Sequence, residues 1–421
     1  MPSVAPAIRD GVNSKGLLGS KPMPTFEGVD FYNIEELLTD DERTARDAVR
    51  DWVKNRFMPV VKQHYRAGTF PMELVPEMAL LGVFGPSIKG YSCAGLGNIA
   101  AGLMMQELER GDSGLRTFAS VQGSLSMMAI NLFGSDEQKG RWLPAMANGK
   151  KLGCFALTEP DFGSNPGGLR CRAQRTQDGY RLNGVKKWIG NGTIADVAVV
   201  WAKLEIEGEV ASDSPAAICG FLVEKGTPGF TASLIEGKLS LRAALTASLE
   251  FKDCVVPANA LLPQSGGLKS PLLCLNQARY GIAWGAIGAA LACYDEARNY
   301  AKSRIQFGRP IGSFQLVQAK LARMLTEITK AQLLAHRLGQ MKDADTIKHY
   351  HISMAKMNNV EMALDVARTT RDLLGGVGIL DDYQSFRHMC NLESVKTYEG
   401  THDIHLLVLG EQITGTSAFV G

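Results

Sequence analysis

Several features of common protein classes are missing from this sequence of 421 residues. No apolar run approaches the roughly 20 residues that a membrane-spanning helix needs, so we expect no stable membrane insertion. Lys and Arg form no long cluster and the net charge is only +2, which argues against nucleic acid as a partner. The start of the chain lacks the hydrophobic core of a secretory signal peptide. The length and composition are typical of a globular protein with two or three domains.

Patterns for metal binding and disulfide bonds are also missing. The eight cysteines include no C-x-x-C pair, and the seven histidines show no H-x-x-x-H spacing. We therefore predict no metal site, and we expect reduced, buried thiols in a reducing compartment. The bacterial cytoplasm is the expected location, or the mitochondrial matrix if the source is eukaryotic.

Composition and periodicity divide the chain into an arm and three regions. Residues 1–30 contain Pro, Gly and Ser without an apolar pattern, and we expect a flexible N-terminal arm. Residues 31–151 and 266–421 place apolar side chains at helical spacing, whereas residues 152–265 contain short β-branched runs between turn residues. This order differs from βαβ alternation, which disfavours a Rossmann fold. We predict a mainly α protein with an inserted β domain.

Local patterns support these assignments. Residues 40–43 (DDER) are typical of the acidic first turn of a helix. In the last region, the Ala- and Gly-rich residues 280–301 predict closely packed helices. Apolar side chains there also recur at i, i+4, i+7, i+8 and i+11, namely at Val317, Leu321, Met324, Leu325 and Ile328.

Residues 397–405 (TYEGTHDIH) are the most informative segment. Glu399 is followed by Gly400, which permits close backbone approach, and Thr401 is a good N-cap for the apolar helical run that follows. The first-turn amides of such a helix can bind an anionic or polar ligand. A carboxylate in this setting suits a catalytic base above a flat substrate. The alternative is an ordinary capped helix start.

Two segments of the β region could hold a flat or phosphorylated cofactor. Residues 157–164 (LTEPDFGS) offer hydroxyls and free amides beside an apolar strand, and a surface turn is the alternative. Residues 187–192 (KWIGNG) place Trp188 beside a flexible turn, where its ring can stack on a cofactor. A core tryptophan at a strand end is the alternative.

Two interruptions of the last helical region could also bind a flat or phosphorylated cofactor. Residues 304–310 (RIQFGRP) combine Arg304, suited to bidentate phosphate binding, with Phe307, suited to stacking on a purine. Residues 374–378 (LGGVG) can approach a pyrophosphate closely. Ordinary turns between helices are the alternative for both.

Residues 107–116 (ELERGDSGLR) pack charges into an apolar neighbourhood. Glu109 and Arg116 are seven positions apart, so they would share a face of a continuous helix. Gly111 and Gly114 argue against such continuity. A solvated ion pair is the alternative.

Together and in this order, these segments resemble the acyl-CoA dehydrogenase family, and among its members the resemblance to glutaryl-CoA dehydrogenases is strongest. It runs from about residue 30 to Phe419, apart from a longer loop near residues 205–215. Further matching stretches are residues 88–91, 238–242, 276–284 and 325–329. The resemblance implies a helical N-terminal domain (31–151), a β-barrel middle domain (152–265) and a C-terminal four-helix bundle (266–421).

The resemblance also implies a flavin adenine dinucleotide (FAD) cofactor and a homotetramer built as a dimer of dimers. Arg304, Phe307 and Gln315 match residues that reach the cofactor of a neighbouring subunit. The complete set of implied FAD-binding residues is Phe155, Leu157, Thr158, Ser164, Trp188, Gly190, Arg304, Phe307, Gln315, Asp372, Gly375, Gly376, Thr401, Asp403 and Phe419.

For the substrate, the resemblance implies that Glu399 is the catalytic base. Arg116 and Ser120 match the group that receives the far carboxylate of glutarate, and Glu109 and Tyr398 match polar residues around it. A plain acyl chain should bind poorly there, because a buried guanidinium without an anion is costly. Other implied substrate-binding residues are Ser164, Leu272, Asn276, Arg279 and Gly400.

The implied reaction is the oxidative decarboxylation of glutaryl-CoA to crotonyl-CoA and carbon dioxide, with electrons passed to electron-transfer flavoprotein. Glu399 takes the α-proton while the β-hydride goes to the flavin. Desolvation would strengthen Glu399 as a base, whereas the adjacent helix start would favour its ionised form. The sequence leaves open which effect dominates.

Two positions depart from the family pattern. Gly190 stands where most relatives carry Thr or Ser beside the hydride-accepting nitrogen, and Asn165 replaces the usual Asp. Short-chain acyl-CoA oxidases resemble the chain too, and some carry Gly at that position, so an oxidase is one alternative. A glutaryl-CoA dehydrogenase that retains the carboxylate and a non-catalytic acyl-CoA-binding protein are the others.

Overall fold

A computed structural model describes residues 28–205 and 213–419. The expected flexible arm therefore lies almost wholly outside the described residues, and so does most of the longer loop at 205–215. Within the described residues, no helix combines the length and apolar character needed to cross a bilayer.

The first region is helical, and its first helix begins as predicted. The Thr39 hydroxyl accepts a hydrogen bond from the Glu42 amide at 3.3 Å, and the Glu42 carboxylate accepts one from the Thr39 amide at 2.8 Å. Such a capping box satisfies two otherwise free amides. Two π-helical segments, Val53–Phe57 and Val121–Met127, follow directly on α1 and α5. The helices are α1 Asp40–Trp52, α2 Met58–Ala67, α3 Val75–Leu80, α4 Asn98–Gly111, α5 Ser113–Ser120, α6 Met128–Phe133 and α7 Asp136–Ala147.

The second region forms a curled seven-stranded sheet of order β1-β4-β2-β3-β7-β6, with β5 also paired to β4. Strands β1 and β2 run parallel to β4, and the remaining pairs are antiparallel. The register between β3 and β7 shifts between Lys186 and Ile189, where Trp188 has a φ of +65°. The strands are β1 Gly153–Ala156, β2 Arg172–Arg175, β3 Gly179–Gly190, β4 Val197–Glu205, β5 Ile218–Glu224, β6 Phe230–Leu234 and β7 Thr246–Pro257.

The third region is a bundle of long helices interrupted by a small hairpin. Helices α8 and α4 pack as closely as the glycine content predicted, since a Cβ on Gly288 would lie 1.8 Å from the carbonyl oxygen of Gln106. Met324 and Ile328 are buried, as the helical spacing predicted. The elements are α8 Lys269–Ser303, β8 Ile305–Gln306, β9 Arg309–Pro310, α9 Gln315–Asp343, α10 His349–Leu374, α11 Ser385–Thr397 and α12 His402–Thr414.

Two apolar cores hold these regions together. One joins the N-terminal helices to the sheet, and the other fills the helical bundle and includes Ile99 and Leu103 of α4. Helix α4 therefore belongs to both cores, since Met104 and Leu108 lie in the first. The predicted mainly α architecture with an inserted β domain is confirmed. The site described next lies where α4, α5, α8, α10 and the α11–α12 loop meet.

Candidate active site

The loop between α11 and α12 holds Glu399 in an uncommon backbone conformation. Glu399 has a φ of +54° and Gly400 a φ of +95°. A Cβ on Gly400 would lie 2.9 Å from the His405 ring, so this close approach requires glycine. The hydroxyl of Thr401 accepts a hydrogen bond from the Ile404 amide at 3.2 Å. The predicted N-cap of α12 is therefore confirmed.

Two cations, the partly exposed Arg279 and the buried Lys356, bind the backbone of this loop. Nε of Arg279 donates to the Glu399 carbonyl at 2.7 Å. Nζ of Lys356, on α10, donates to the carbonyls of Gly400 at 2.8 Å and Tyr398 at 3.1 Å. The loop is thus fixed from α8 and from α10.

The Glu399 carboxylate is largely withdrawn from solvent. Its Oε2 is buried and has no hydrogen-bond partner among the described residues. Burial raises the pKa of Glu399, although Arg116, Arg279 and Lys356 act to lower it. Desolvation thus outweighs the nearby positive charges. The result is a carboxylate that is a stronger base than one in water.

Arg116 and Glu109 form an ion pair with no solvent exposure on either side chain, at 2.7 Å between Nε and Oε2. Helix α4 ends at Gly111 and α5 starts at Ser113, so the pair forms across a helix break at Asp112. The alternative of a solvated ion pair is wrong. Glu109 supplies an anion to the Arg116 guanidinium, so this charge is paired within the protein.

The polar atoms around Arg116 form a buried cluster, which we call the polar pocket. Nη2 donates to the Tyr398 hydroxyl, whereas Nη1 is buried without a partner among the described residues. Burial disfavours the charge on Arg116, but the Glu109 carboxylate and Tyr398 more than compensate and raise its pKa. Glu109 Oε1 and the Ser120 hydroxyl are likewise buried without partners within the described chain. A charged donor, a hydroxyl and one carboxylate oxygen are therefore left without partners among the described residues, and the first two can bind a small anionic group.

A glycine of α8 makes room for this pair. A Cβ on Gly285 would lie 2.0 Å from Glu109 Oε2 and 3.3 Å from Arg116 Nε. Any larger side chain at 285 would have to displace the carboxylate. Close helix packing thus shapes the pocket as well as the core.

Helix α5 and its π-helical continuation connect this pocket to the sheet. A Cβ on Gly190, at the end of β3, would lie 3.0 Å from Cγ2 of Val121. Nδ2 of Asn191 donates to the carbonyl of Phe118 at 3.4 Å. The structure thus brings Gly190 close to the segment that carries Arg116 and Ser120.

The predicted cofactor residues of the sheet surround the end of β1 and the irregular part of β3. Phe155 and Leu157 are buried, and the carbonyl of Thr158 accepts a hydrogen bond from the Lys187 amide at 2.8 Å. The side chain of Trp188 is 58% exposed, so the alternative of a core tryptophan is wrong. Ser164 is exposed in the loop after β1.

The other predicted cofactor residues lie mostly at the surface. Arg304 and Gln315 flank the β8–β9 hairpin, and Phe307 at its tip is 92% exposed. Gly375, after α10, has a φ of +65°, and a Cβ there would meet no atom within 4 Å. Exposed residues of the same predicted set are Asp372, Gly376, Asp403 and Phe419.

The predicted coenzyme A residues of α8 share one face. Leu272, Asn276 and Arg279 are spaced at i, i+4 and i+7, and each is partly exposed. Nη1 of Arg279 donates to Asn276 Oδ1 at 3.3 Å, while its Nε holds the Glu399 carbonyl. This face therefore leads along α8 to the α11–α12 loop.

Sequence profiles of acyl-CoA dehydrogenases match nearly the whole chain. The N-terminal domain profile matches residues 39–150, the middle domain profile 154–254 and the C-terminal domain profile 265–414. The chain belongs to the acyl-CoA dehydrogenase family. Its N-terminal, middle and C-terminal arrangement is the fold of that family, as predicted.

Individual relatives agree with this assignment. A glutaryl-CoA dehydrogenase from Mycobacterium smegmatis in complex with FADH2 superimposes with a TM-score of 0.91 at 48% identity, covering 94% of this chain and 100% of that one. The butyryl-CoA dehydrogenase of Megasphaera elsdenii superimposes with a TM-score of 0.85 at 32% identity, covering 89% and 98%. The human mitochondrial short-chain specific acyl-CoA dehydrogenase is 35% identical over 374 residues, or 88% of this chain and 90% of that one.

Like its family, this acyl-CoA dehydrogenase uses FAD, as predicted. The residues present fit such a group. The exposed Trp188 ring suits a flat ring system, the exposed Arg304 guanidinium suits a pyrophosphate, and the open backbone at Gly375 and Gly376 leaves room for close approach.

Sequence reasoning did not identify three features of the site. Lys356 carried a detectable signal, since it lies at helical spacing from Ile352 and Val360 on the apolar face of α10. Gly285 was noted only as part of a Gly-rich helix. The buried ion pair of Lys186 and Glu159, at 2.8 Å beneath the predicted cofactor loop, had no local signal.

Proposed function

We propose that the protein catalyses the FAD-dependent oxidative decarboxylation of glutaryl-CoA to crotonyl-CoA and carbon dioxide. The observation that carries this proposal is the buried Nη1 of Arg116, which has no partner among the described residues. A buried charged donor without an acceptor is costly, and the terminal carboxylate of a glutaryl chain would satisfy it. The name of the M. smegmatis relative agrees with this substrate.

Glu399 is the proposed base. Its raised pKa suits abstraction of the weakly acidic α-proton of a thioester. The bound flavin supplies the acceptor for the β-hydride. Loss of that proton and hydride converts glutaryl-CoA to glutaconyl-CoA. When the γ-carboxylate leaves as carbon dioxide, its bonding electrons enter a dienolate, and the protonated Glu399 returns its proton to give crotonyl-CoA.

Glu109 and Tyr398 support the decarboxylation step. Both contact Arg116, at Nε and Nη2 respectively, so the substrate carboxylate shares the guanidinium with them. A shared guanidinium holds the substrate carboxylate less tightly than a free one, which favours its departure as carbon dioxide. Plain acyl chains are then disfavoured because they supply no acceptor to Nη1, which has no partner among the described residues.

Coenzyme A is proposed to lie along α8, against Leu272, Asn276 and Arg279, with Ser164 and Gly400 contributing from neighbouring loops. The exposed Phe307 supports a tetramer in which the β8–β9 hairpin, with Arg304 and Gln315, reaches a neighbouring subunit. We further propose electron-transfer flavoprotein as acceptor and a reducing compartment, either the bacterial cytoplasm or the mitochondrial matrix.

A short-chain acyl-CoA oxidase is a second candidate, favoured by Gly190. The Val121 methyl group stands close to the space a side chain at 190 would occupy, and Gly190 itself adds no shielding. The names of the butyryl-CoA and short-chain relatives support alternative acyl substrates. A dehydrogenase that retains the carboxylate and a non-catalytic acyl-CoA-binding protein are further alternatives.

One experiment separates these candidates: turnover of the purified protein with glutaryl-CoA, in which crotonyl-CoA, glutaconyl-CoA and peroxide are measured together. We expect crotonyl-CoA, reduction of electron-transfer flavoprotein and no stoichiometric peroxide. Glutaconyl-CoA as end product would replace the decarboxylase by the carboxylate-retaining enzyme. Stoichiometric peroxide would identify an oxidase, and a colourless, inactive protein a binding protein.

A further inference from the structure

Lys356 is buried at 1% exposure, and its ammonium is wholly occupied by the loop that carries Glu399. It donates to the carbonyls of Gly400 at 2.8 Å, Tyr398 at 3.1 Å and Lys396 at 3.5 Å. An ammonium has three donors. All three therefore go to backbone carbonyls on either side of the proposed base.

These carbonyls need a cation for two reasons. The Lys396 carbonyl belongs to the last turn of α11, which ends at Thr397 with Tyr398 as its C-cap, and the last carbonyls of a helix lack intrahelical partners and carry partial negative charge. Glu399 also has a positive φ of +54°, a conformation that persists in a residue with a side chain only when the surroundings enforce it. Lys356 supplies the positive charge at the end of α11, and it helps to hold Glu399 in its positive-φ conformation.

We propose that Lys356 is a positioning residue for the reaction: it holds the backbone of residues 398–400 so that the Glu399 side chain faces the thioester, and its positive charge favours the carboxylate form of that side chain. The role rests on the proposed function of Glu399 as base. It does not depend on which acyl chain is bound, because the Lys356 ammonium donates its hydrogen bonds to the loop backbone.

Electrostatics around the ammonium agree with this role. Burial lowers the pKa of Lys356 to about 7, with the Glu399 carboxylate acting to raise it. In return, the Lys356 charge acts to lower the pKa of Glu399. Burial lowers the pKa of the neighbouring His405 to about 3, so that ring is neutral near pH 7. The charged or titratable groups that face Lys356 are Glu399, Arg279, Arg116, Glu109 and His405.

The test compares Lys356→Met and Lys356→Arg with wild type, using stopped-flow flavin reduction by glutaryl-CoA and by butyryl-CoA across pH. For Lys356→Met we expect a limiting rate about 100-fold lower. The acid limb of kcat/KM should also move up by about one pH unit with both thioesters. Lys356→Arg should keep the acid limb in place and abolish any inflection near pH 7, because arginine does not lose its proton.

Controls distinguish this role from a structural one. Lys330→Met removes an exposed lysine of α9, and its limiting rate and the acid limb of its kcat/KM profile should match those of wild type. An unchanged acid limb in folded, flavin-loaded Lys356→Met would overturn the proposal. If Lys356→Met does not fold, Lys356→Arg decides the question: an inflection near pH 7 that persists in its kcat/KM profile would overturn the proposal. Full activity of Glu399→Gln would instead refute the proposed base, so the two failures are distinguishable.

Discussion

Arg116 Nε lies 2.7 Å from Glu109 Oε2, and neither side chain is exposed to solvent. The two residues belong to different helices, α4 and α5, which meet at Asp112. Such a pair is expensive to desolvate and rarely stabilises a protein more than apolar packing would. Its presence beside an Nη1 that has no partner in the described part of the chain therefore favours a role in recognition over a role in stability.

Replacing both charges tests that role. The double variant Arg116→Met/Glu109→Gln leaves no unpaired charge, and we expect kcat/KM for glutaryl-CoA to fall by roughly 100-fold or more, since losing a buried charged contact costs about 2–5 kcal/mol. Butyryl-CoA lacks the terminal carboxylate, so kcat/KM for butyryl-CoA should fall by less than about tenfold. Steady-state kinetics with both thioesters measures the difference. Arg337→Met, at an exposed arginine of α9, is the control; equal losses on both substrates would contradict the carboxylate-receptor role.

The variant Gly285→Ala tests whether the Glu109–Arg116 ion pair needs the space that glycine leaves at position 285. The new Cβ would lie 2.0 Å from Glu109 Oε2, so the carboxylate must move and Arg116 loses its alignment. We expect a loss of about 100-fold in kcat/KM for glutaryl-CoA, because small misplacements of positioned groups have effects of that size. Gly140→Ala on α7 is a matched control, since a Cβ there meets nothing within 4 Å. Normal glutaryl-CoA kinetics in Gly285→Ala would show that the pair has no part in binding.

Glu399→Gln should abolish α-proton abstraction, with flavin reduction at least about 100-fold slower, and should change how stability depends on pH. Burial raises the pKa of Glu399, so the folded protein binds this proton more tightly than the unfolded chain. The resulting stabilisation is present below the unfolded-state pKa and is lost as pH rises through the folded-state pKa.

Glutamine is neutral at every pH, so the stability advantage of Glu399→Gln over wild type should grow as pH rises through that window. Thermal unfolding from about pH 5 to about pH 8 measures it. Glu36→Gln, at an exposed residue, should show no such trend. A constant difference in melting temperature across this range would mean that Glu399 is not desolvated.

The reaction with oxygen tests the departure at Gly190. A Cβ there would be only 3.0 Å from Val121 Cγ2, so a serine needs space from Val121→Ala. If the missing side chain admits oxygen, Gly190→Ser/Val121→Ala should release less peroxide per turnover than Val121→Ala alone. Peroxide assays during butyryl-CoA turnover compare the two. The same peroxide yield in both variants would remove Gly190 as the cause of any oxygen reactivity.

Local sequence predicted much of the fold. The acidic start of α1, the apolar face of α9 and the N-cap Thr401 follow from spacing within a single helix, and all are confirmed. Such patterns are reliable because their partners lie within about four residues along the chain. The order of helical and β regions likewise follows from periodicity alone.

The chemistry of the site depended on contacts between distant segments. The sequence alone determined that an acid precedes a capped helix and that Glu109 and Arg116 are seven residues apart. Only the tertiary structure decided that this pair is fully buried, that Gly285 makes room for it, and that Lys356 holds the base loop. It also decided that burial outweighs three nearby cations in setting the pKa of Glu399. Desolvation depends on what surrounds a group in three dimensions, and here those neighbours come from α5, α8 and α10, remote from Glu399 in sequence.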